Sequence, residues 1–543
     1  MKKSFNIEKF IGFNILVLGF VLFISNIGFL FGISINKLIF PLAFLASFLT
    51  IFFLNNKNIK EGVLTFIYSI ILYFFANLVA IQFYDISYDG QAYHQQMIYE
   101  LYNGWNPIRS VLNDKIPYHE LINYYQKGIE IIFASFFKLT GNIESAKAIN
   151  YILLILAFLG IFSLSKKITQ ILLLRLLIAY AIIFSTILTN QFFSFYIDIS
   201  VHLCIIIFII TLINLFVNFN KINRLTFIVS SVLLISIKLS TGYIFLCIYG
   251  GYLVYNLINK KHLKQNFIDL LSIGVIFLIF NINPFITNIQ QGKHLFHPFL
   301  GEEKIELLEF QKPPKIRGLN KYEQMYKSIF SEVDSRMNIQ EYTSKMPFQL
   351  KSQEINSIAA EDIRLSGFGI FFSGILLIAI LSLFYVIYKV TKEKKINNEL
   401  KILSLLILTI ICSIIISPEL WWARLIPQFW LIPILIAIML FTYKNESIKI
   451  IGVIILLFAC LNSSIHFGAY IHYNKIASKE MRGFLKDLEG KKIILNQREF
   501  NTGFLRLQQN NISYKLGEIK EDDKDIFYMP YSHGLTRMKI DNE

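Results

Sequence analysis

The chain is organised by long apolar runs separated by short polar ones. Runs of about 20 residues, rich in Ile, Leu and Phe, recur from the first residues to position 470, and a helix of that length crosses the hydrocarbon core of a bilayer. Length and apolarity together predict about 13 spans, at 11–33, 36–54, 63–84, 147–165, 171–189, 199–217, 225–240, 242–258, 267–288, 367–390, 400–417, 425–442 and 449–470. Short alternating segments of the β-barrel kind are missing. The fold class is therefore an all-α polytopic membrane protein. The seventh and eighth runs are separated only by Lys238 and a turn at Ser240-Thr241-Gly242, so a tight hairpin and a re-entrant pair both fit. The first run is too long for a signal-peptide core and no small-residue cleavage site follows it, so it is expected to be a retained helix.

Three polar segments are longer than turns: 85–146, 289–366 and the tail 471–543. In the first, Tyr93 to Tyr102 has helical spacing, with Met97, Ile98 and Leu101 as its apolar stripe, and Gly104 and Pro107 as its stop. Ile129 to Leu139 forms a second apolar helix closed by Thr140-Gly141-Asn142. Both are expected to lie along the membrane surface. The second segment breaks at Pro313-Pro314, with short helices expected at Tyr322–Phe330 and Ala359–Leu365, and has the length of a mobile lid. In the tail, helices at Ala477–Leu488 and Phe500–Gln509 and strands at Lys491–Asn496, Ile512–Lys515 and Asp525–Met529 predict a small α/β cap. It is too small for an independent catalytic domain. The domain division is thus 1–470, transmembrane, and 471–543, extracytoplasmic.

Composition agrees, with a mean hydropathy of +0.53. The formal charge of +15 invites a nucleic-acid partner, but its distribution excludes one. The basic residues fall in short loops: Lys57 and Lys60, Lys166 and Lys167, Lys221 and Arg224, Lys260, Lys261 and Lys264, Lys392, Lys394 and Lys395, Lys444 and Lys449. Such loops mark the cytoplasmic side. The amino terminus, behind Met1-Lys2-Lys3, is then cytoplasmic. An odd number of spans places the carboxyl terminus and all three long segments on the extracytoplasmic face of a cytoplasmic or inner membrane. The four cysteines, Cys204, Cys247, Cys412 and Cys460, lie inside apolar runs without a CxxC pattern, which supports neither a disulfide framework nor a zinc site.

Candidate chemistry clusters where a span ends. Asp85 and Asp89 are spaced i, i+4 and share a face if that stretch is helical. One can serve as general base while the other orients a hydroxyl or, with it, a divalent cation such as Mg or Mn. The competing reading is a pair of solvated acids, with Asp89 as an N-cap. His94 can bind a metal or phosphate, or lie at the interface, and His119-Glu120 is a weaker pair in a polar stretch. Lys293, His294 and His297 follow the ninth run and can meet an anionic head group, although a snorkelling lysine explains Lys293 equally. Ser417 to Arg424 joins two runs; Trp421-Trp422 reads as an aromatic belt. Arg424 can grip a phosphate bidentately or pair with Glu419. Lys238 reads as a snorkelling lysine and His202 as a packing residue.

Several of these motifs together resemble those of the GT-C class of integral-membrane glycosyltransferases. They are Tyr88-Asp89-Gly90 at the end of a span, a following helix ending in Gly104-Trp105-Asn106-Pro107, a second helix flanked by Tyr125-Gln126-Lys127-Gly128 and Thr140-Gly141-Asn142, the Asn288–Pro298 loop, and Trp421-Trp422-Ala423-Arg424-Leu425-Ile426-Pro427. The likeness is scattered over residues 63 to 440. It implies transfer of a sugar, with inversion, from a polyprenyl-phosphate donor to a glycan, lipid or protein acceptor. By the resemblance the catalytic base is Asp89, with Asp85 second, and the donor phosphate meets Arg424 with His294 or His297. Two departures stand out: two extra spans precede the acidic motif, and the family's adjacent acidic pair is split. The alternatives are a polysaccharide polymerase or O-antigen-ligase-like enzyme built on arginines and a histidine, and a transporter or flippase. The latter needs charges at mid-membrane depth.

Overall fold

The computed structural model describes residues 6–54, 59–336, 339, 343–393, 398–443, 445–497, 500, 502–520, 523 and 525–541. Met1-Lys2-Lys3 and the loop residues Lys57, Lys394, Lys395 and Lys444 lie outside the described residues. The first half of the chain holds α1 (Ile7–Leu30), α2 (Ile39–Leu54), α3 (Ile59–Ala80), α4 (Gln95–Tyr102), α5 (His119–Tyr124), α6 (Gly128–Thr140), α7 (Ala148–Leu164), α8 (Leu172–Ile183), α9 (Thr186–Asn190), α10 (Asp198–Val217), α11 (Lys221–Ile235), α12 (Ser240–Ile258) and α13 (Leu263–Phe280). The second half holds α14 (Thr287–Gln290), α15 (Leu307–Gln311), α16 (Lys321–Ile329), α17 (Phe372–Glu393), α18 (Asn398–Ile416), α19 (Leu431–Leu440), α20 (Glu446–Asp487) and α21 (Gly503–Gln509). Its strands are β1 (Lys492–Gln497), β2 (Ser513–Leu516), β3 (Phe527–Tyr528) and β4 (Thr536–Ile540).

Every one of the apolar runs becomes helix. Among the described residues nine helices are long and apolar enough to cross a membrane; α2, α8 and α19 are apolar but shorter, and α11 has 15 residues. The seventh and eighth runs are two separate helices, α11 and α12, joined by a tight turn in which Thr241 N–H donates to Lys238 O.

The bundle is built inside out at its rim. Of α13, only Asn266, Asp269, Ile273 and Phe280 are buried, while Phe267, Leu271, Val275 and Leu278 face outward. Asp269 is fully buried and takes Nε and Nη2 of Arg224, the latter at 2.5 Å. A chain in water rarely shows apolar faces of this extent, and an ion pair turned inward is how charge is tolerated beside hydrocarbon. At the centre α1 and α10 are buried on nearly all sides, and α1 packs on α2, α3, α6, α7, α11 and α13.

The short helices sit at one end of this bundle. The π-helical turn Gly90–His94 runs into α4, whose Met97, Ile98 and Leu101 are fully buried, and α4 packs on α6. α6 is buried along almost its whole length, from Gly128 to Phe137, and packs on α1 and α2. The expectation of two helices lying on a membrane surface by their apolar faces is thus corrected, because protein covers those faces.

The tail departs from expectation in two elements, a helix joined to the last apolar run and an added strand, β4, lying between β1 and β3. The last apolar run and the Ala477–Leu488 helix are one continuous helix of 42 residues, α20. The tail sheet has the order β2-β1-β4-β3, β1 lying parallel to β2 and antiparallel to β4. α21 docks against α4 through Phe504 on Tyr99, at 5.0 Å between rings, and Thr502 Oγ1 donating to Gln95 Oε1 at 3.0 Å. Tyr322–Phe330 is helical as expected (α16), but Ala359–Leu365 is not: it is irregular, with a bend at Glu361 and Asp362, and Leu365 bridges to Asp334.

Candidate active site

The first candidate segment folds around Asp85. The chain leaves α3, turns at Ile81–Phe83, and becomes helical again only at Tyr88. Asp85 therefore precedes the helix that carries Asp89, and the expected shared helical face does not form. Ser87 donates its N–H and its hydroxyl to Asp85 Oδ1 at 2.8 and 2.6 Å, an Asx-type turn that starts the helix. Asp85 Oδ2 accepts Phe195 N–H at 2.9 Å, and Asp85 N–H faces Glu144. Burial pushes the Asp85 carboxyl above its ordinary value, against the pull of Lys147. A Cβ on Gly90 would stand 2.0 Å from Asp85 Oδ2, so only glycine fits in Tyr88-Asp89-Gly90.

One turn on, Asp89 points elsewhere. It makes no capping hydrogen bond to the helix that follows, which removes the N-cap reading. Its Oδ2 accepts Tyr93 O–H at 3.2 Å and both Nη1 and Nη2 of Arg424 at 3.2 Å. Tyr93 lies in the π-helical turn, a widening often found at functional sites.

Arg424 is the hub. It sits in a short 3-10 turn, Ala423–Leu425, between α18 and α19. Trp421 and Trp422 before it are buried and stacked at 4.8 Å, with Trp422 Nε1 donating to Ile363 O. They are core residues of this turn and not a lipid-facing belt. The rings of Tyr196 and Trp422 flank the guanidinium at 4.7 and 4.9 Å. Its Nε donates to Asp198 Oδ2 at 2.7 Å, and its Nη1 lies 3.8 Å from Asp362 Oδ1. Asp198, the fully buried first residue of α10, also binds Lys238 Nζ at 2.8 Å. Lys238 is thus an ion-pair partner and not a free snorkelling side chain.

The electrostatics of this knot are asymmetric. Burial works against the charge of Arg424, but Asp198, Asp89 and Asp362 outweigh it and hold the guanidinium firmly protonated. Burial lifts Asp362 to about 6, against Arg424 and Arg364. Its neighbour Glu361 is lifted by burial to about 8, and among the described residues Glu361 Oε1 has no hydrogen-bond partner. Of the three aspartates bound to Arg424, Asp198 is sealed, whereas the side chains of Asp89 and Asp362 are 22% and 20% exposed. The knot therefore offers an accessible, oriented carboxylate beside a cation, which is what proton abstraction next to a departing anion requires.

The other expected residues lie apart from it. His94 is buried, and its Nδ1 pairs with Glu130 Oε1 at 2.9 Å, so it is neither interfacial nor bonded to Arg424. Lys293 pairs with Glu303 at 2.7 Å, and His297 packs its ring on Tyr124 at 4.6 Å. His294 Nδ1 accepts Phe296 N–H at 3.1 Å. Among the described residues none of these three bonds to Arg424. Glu419 pairs with Lys312 at 3.1 Å, which excludes it as the partner of Arg424. His202 is buried and bonds to Ile183 O at 2.9 Å, as a packing residue does. The tentative metal pair does not fit: both Asp85 oxygens receive N–H or O–H donors, Asp89 is held by a guanidinium, and no group of three or more metal-ligating side chains occurs among the described residues.

Asp198, Asp362 and Arg506 were missed in the sequence. Asp198 had a signal, an acid directly abutting a span. Asp362 had none, because an irregular segment carries no periodicity. Arg506 of α21 donates to Asp85 O and to Gln91 Oε1, a contact made across more than 400 residues. No protein-family model, curated protein or solved structure matches this chain.

Proposed function

We propose that this protein is a membrane glycosyltransferase, which moves a sugar from a polyprenyl-phosphate donor to a glycan, lipid or protein acceptor with inversion. The observation that carries the reading is the Asp89–Arg424 pair: a partly exposed carboxylate, held by a guanidinium, at the end of a bundle of apolar helices. A lipid-linked donor reaches such a place from the membrane. The acceptor hydroxyl gives its proton to Asp89 as its oxygen bonds to the anomeric carbon. The anomeric C–O bond breaks toward the phosphate, which leaves with the electron pair, near Arg424 and Lys238. Positive charge there stabilises the departing anion.

The reading includes about 13 spans, a cytoplasmic amino terminus, and a site and tail on the extracytoplasmic face. The inside-out rim of α13 and the contacts that join the three long polar segments, Tyr124 to Gln291 and Thr502 to Gln95 among them, support it. The test is incubation of the purified protein in nanodiscs with labelled polyprenyl-phosphate sugars and mixed acceptors, with and without chelator. Transfer that persists in chelator is expected. Turnover unchanged in Asp89→Asn sinks the reading, and an enzyme of the polymerase or ligase kind then takes its place.

A further inference from the structure

Aromatic side chains run past Asp89 in an unbroken series. Phe299 and Tyr125 stack with centroids 5.4 Å apart and planes at 20°. Tyr125 meets Tyr93 edge-on at 6.3 Å, and Tyr93 lies 6.2 Å from Tyr118. The Tyr118 and Tyr88 hydroxyls are 2.9 Å apart, and Tyr88 meets the His533 ring of the tail at 5.5 Å. The members come from four distant stretches of chain, so no single element dictates the alignment.

A core accounts for only part of the series: Tyr93 and Tyr125 rest against the main hydrophobic cluster, whereas Tyr88, Tyr118 and Phe299 do not belong to it. Phe299 is 38% exposed, His533 is exposed, and the four tyrosines are half-buried. Tyr118 is held at φ +54°, ψ +21°, a left-handed conformation that a bulky residue adopts only when its surroundings impose it, and one concentrated at ligand clamps. Tyr93 joins the series directly to the Asp89 carboxylate, and Arg424 stands behind that carboxylate.

We propose that this series is a carbohydrate-binding track that seats a glycan chain with its sugar rings against Phe299, Tyr125, Tyr93, Tyr118 and Tyr88. The C–H faces of a sugar ring carry slight positive charge and meet the negative face of an aromatic ring. The ring edges carry hydroxyls, which need both acceptors and donors, and Asp89, Asp362, Arg424 and the tyrosine hydroxyls supply them. A lipid tail has no use for that polar margin. Tyrosine also presents amphipathic area at little entropic cost, having two side-chain torsions. That the bound glycan is the acceptor rests on the glycosyl-transfer reading; that it binds does not.

The experiment is titration of the full-length protein, in nanodiscs prepared without glycoside detergent, with malto-, cello-, chito- and xylohexaose and their monosaccharides, read by calorimetry. At least one hexaose is expected to bind about tenfold or more tighter than its monosaccharide, since each added stacked ring contributes a factor of about three to ten. Phe299→Ala and Tyr118→Ala are each expected to weaken that hexaose about three- to tenfold. Phe299 is exposed, so its variant keeps the fold. No binding of any hexaose, or binding that Phe299→Ala leaves unchanged, overturns the track. If hexaose binds but no polyprenyl-phosphate sugar is consumed, the transferase reading fails and the track stands. If sugar moves onto a lipid or protein acceptor and no hexaose binds, the reverse holds.

Discussion

Asp85 and Asp89 are the same residue type four positions apart, yet one is structural and the other is presented. The difference lies in what faces each carboxylate: backbone and hydroxyl donors for Asp85, a guanidinium and a phenol for Asp89. Asp89→Asn is nearly isosteric, and is expected to cut transfer about a hundredfold or more while thermal unfolding stays close to that of the parent protein. Asp85→Asn is expected to do the opposite in kind. An amide would turn an N–H toward Ser87 or Phe195 donors, lowering stability by about 2–4 kcal/mol, visible as reduced yield and melting temperature. Arg424→Lys keeps one charge but not the planar fork that bridges three carboxylates, so it should lose most turnover. Asp362 sets a pH signature. Its folded pKa, about 6, lies above its ordinary value of 3.8, so its contribution to stability is fully present below pH 3.8 and is lost as pH rises through 6. Asp362→Asn should therefore raise stability at pH 7.5 by about 1–3 kcal/mol, with the gain gone near pH 3.8, measured by thermal unfolding across that range. Which acid is presented beside the guanidinium was legible only as a pair of candidates, because i, i+4 spacing says nothing about what the chain brings against each side chain.

At the scale of elements, apolar periodicity located the helices well, since a span needs no partner to be recognised. It misjudged the contexts. Trp421 and Trp422 look like an interfacial belt in sequence, yet they are packed with Ile316, Ile339 and Leu365 in a small cluster under the Arg424 turn. The Tyr125–Gly128 stretch shows how tightly such turns are specified. Lys127 Nζ donates to the carbonyls of Asn123 and Tyr125 and to Asn283 Oδ1, and burial lowers this amine to about 7, against the field of Glu130. A Cβ on Gly128 would stand 2.5 Å from Ser236 O, a backbone atom that cannot swing away. Gly128→Ala is expected to cost about 2 kcal/mol or more and to disturb the neighbouring Tyr125, read as a lower melting temperature with a weakened hexaose titration.

At the scale of the molecule, the tail closes on the first polar segment. Arg506 reaches Asp85 O and Gln91, Gln509 reaches Gly141 O at 3.5 Å, and Tyr84 N–H meets Ser478 Oγ at 3.1 Å. Residue 142 and the tail must therefore lie on one side of a membrane. Lys166 and Lys167 follow the far end of α7 from Lys147, whose Nζ holds Phe83 O. Cysteine labelling is expected to find position 142 and positions beyond Tyr473 accessible together from outside, and positions 166 and 260 only after permeabilisation. Labelling of 142 and the tail from opposite sides would be incompatible with these contacts. Arg506→Met should lower turnover with Asp89 untouched, by loosening the 85–91 segment, and the loss should come with a lower melting temperature.

What the sequence determined by itself was the class of molecule: apolar runs of spanning length, three polar segments, a small mixed cap, and an acidic motif at a helix end. Those follow from local hydropathy and turn chemistry, which need no knowledge of distant residues. Tertiary structure alone decided the site. It brought Asp198, Asp362 and Lys238 to Arg424, gave His94 to Glu130 and Glu419 to Lys312, and laid Tyr88, Tyr93, Tyr118, Tyr125 and Phe299 in one series. A buried charge is tolerated only with a partner, and which partner meets which charge is set by how helices far apart in sequence pack, information that no local window of the chain contains.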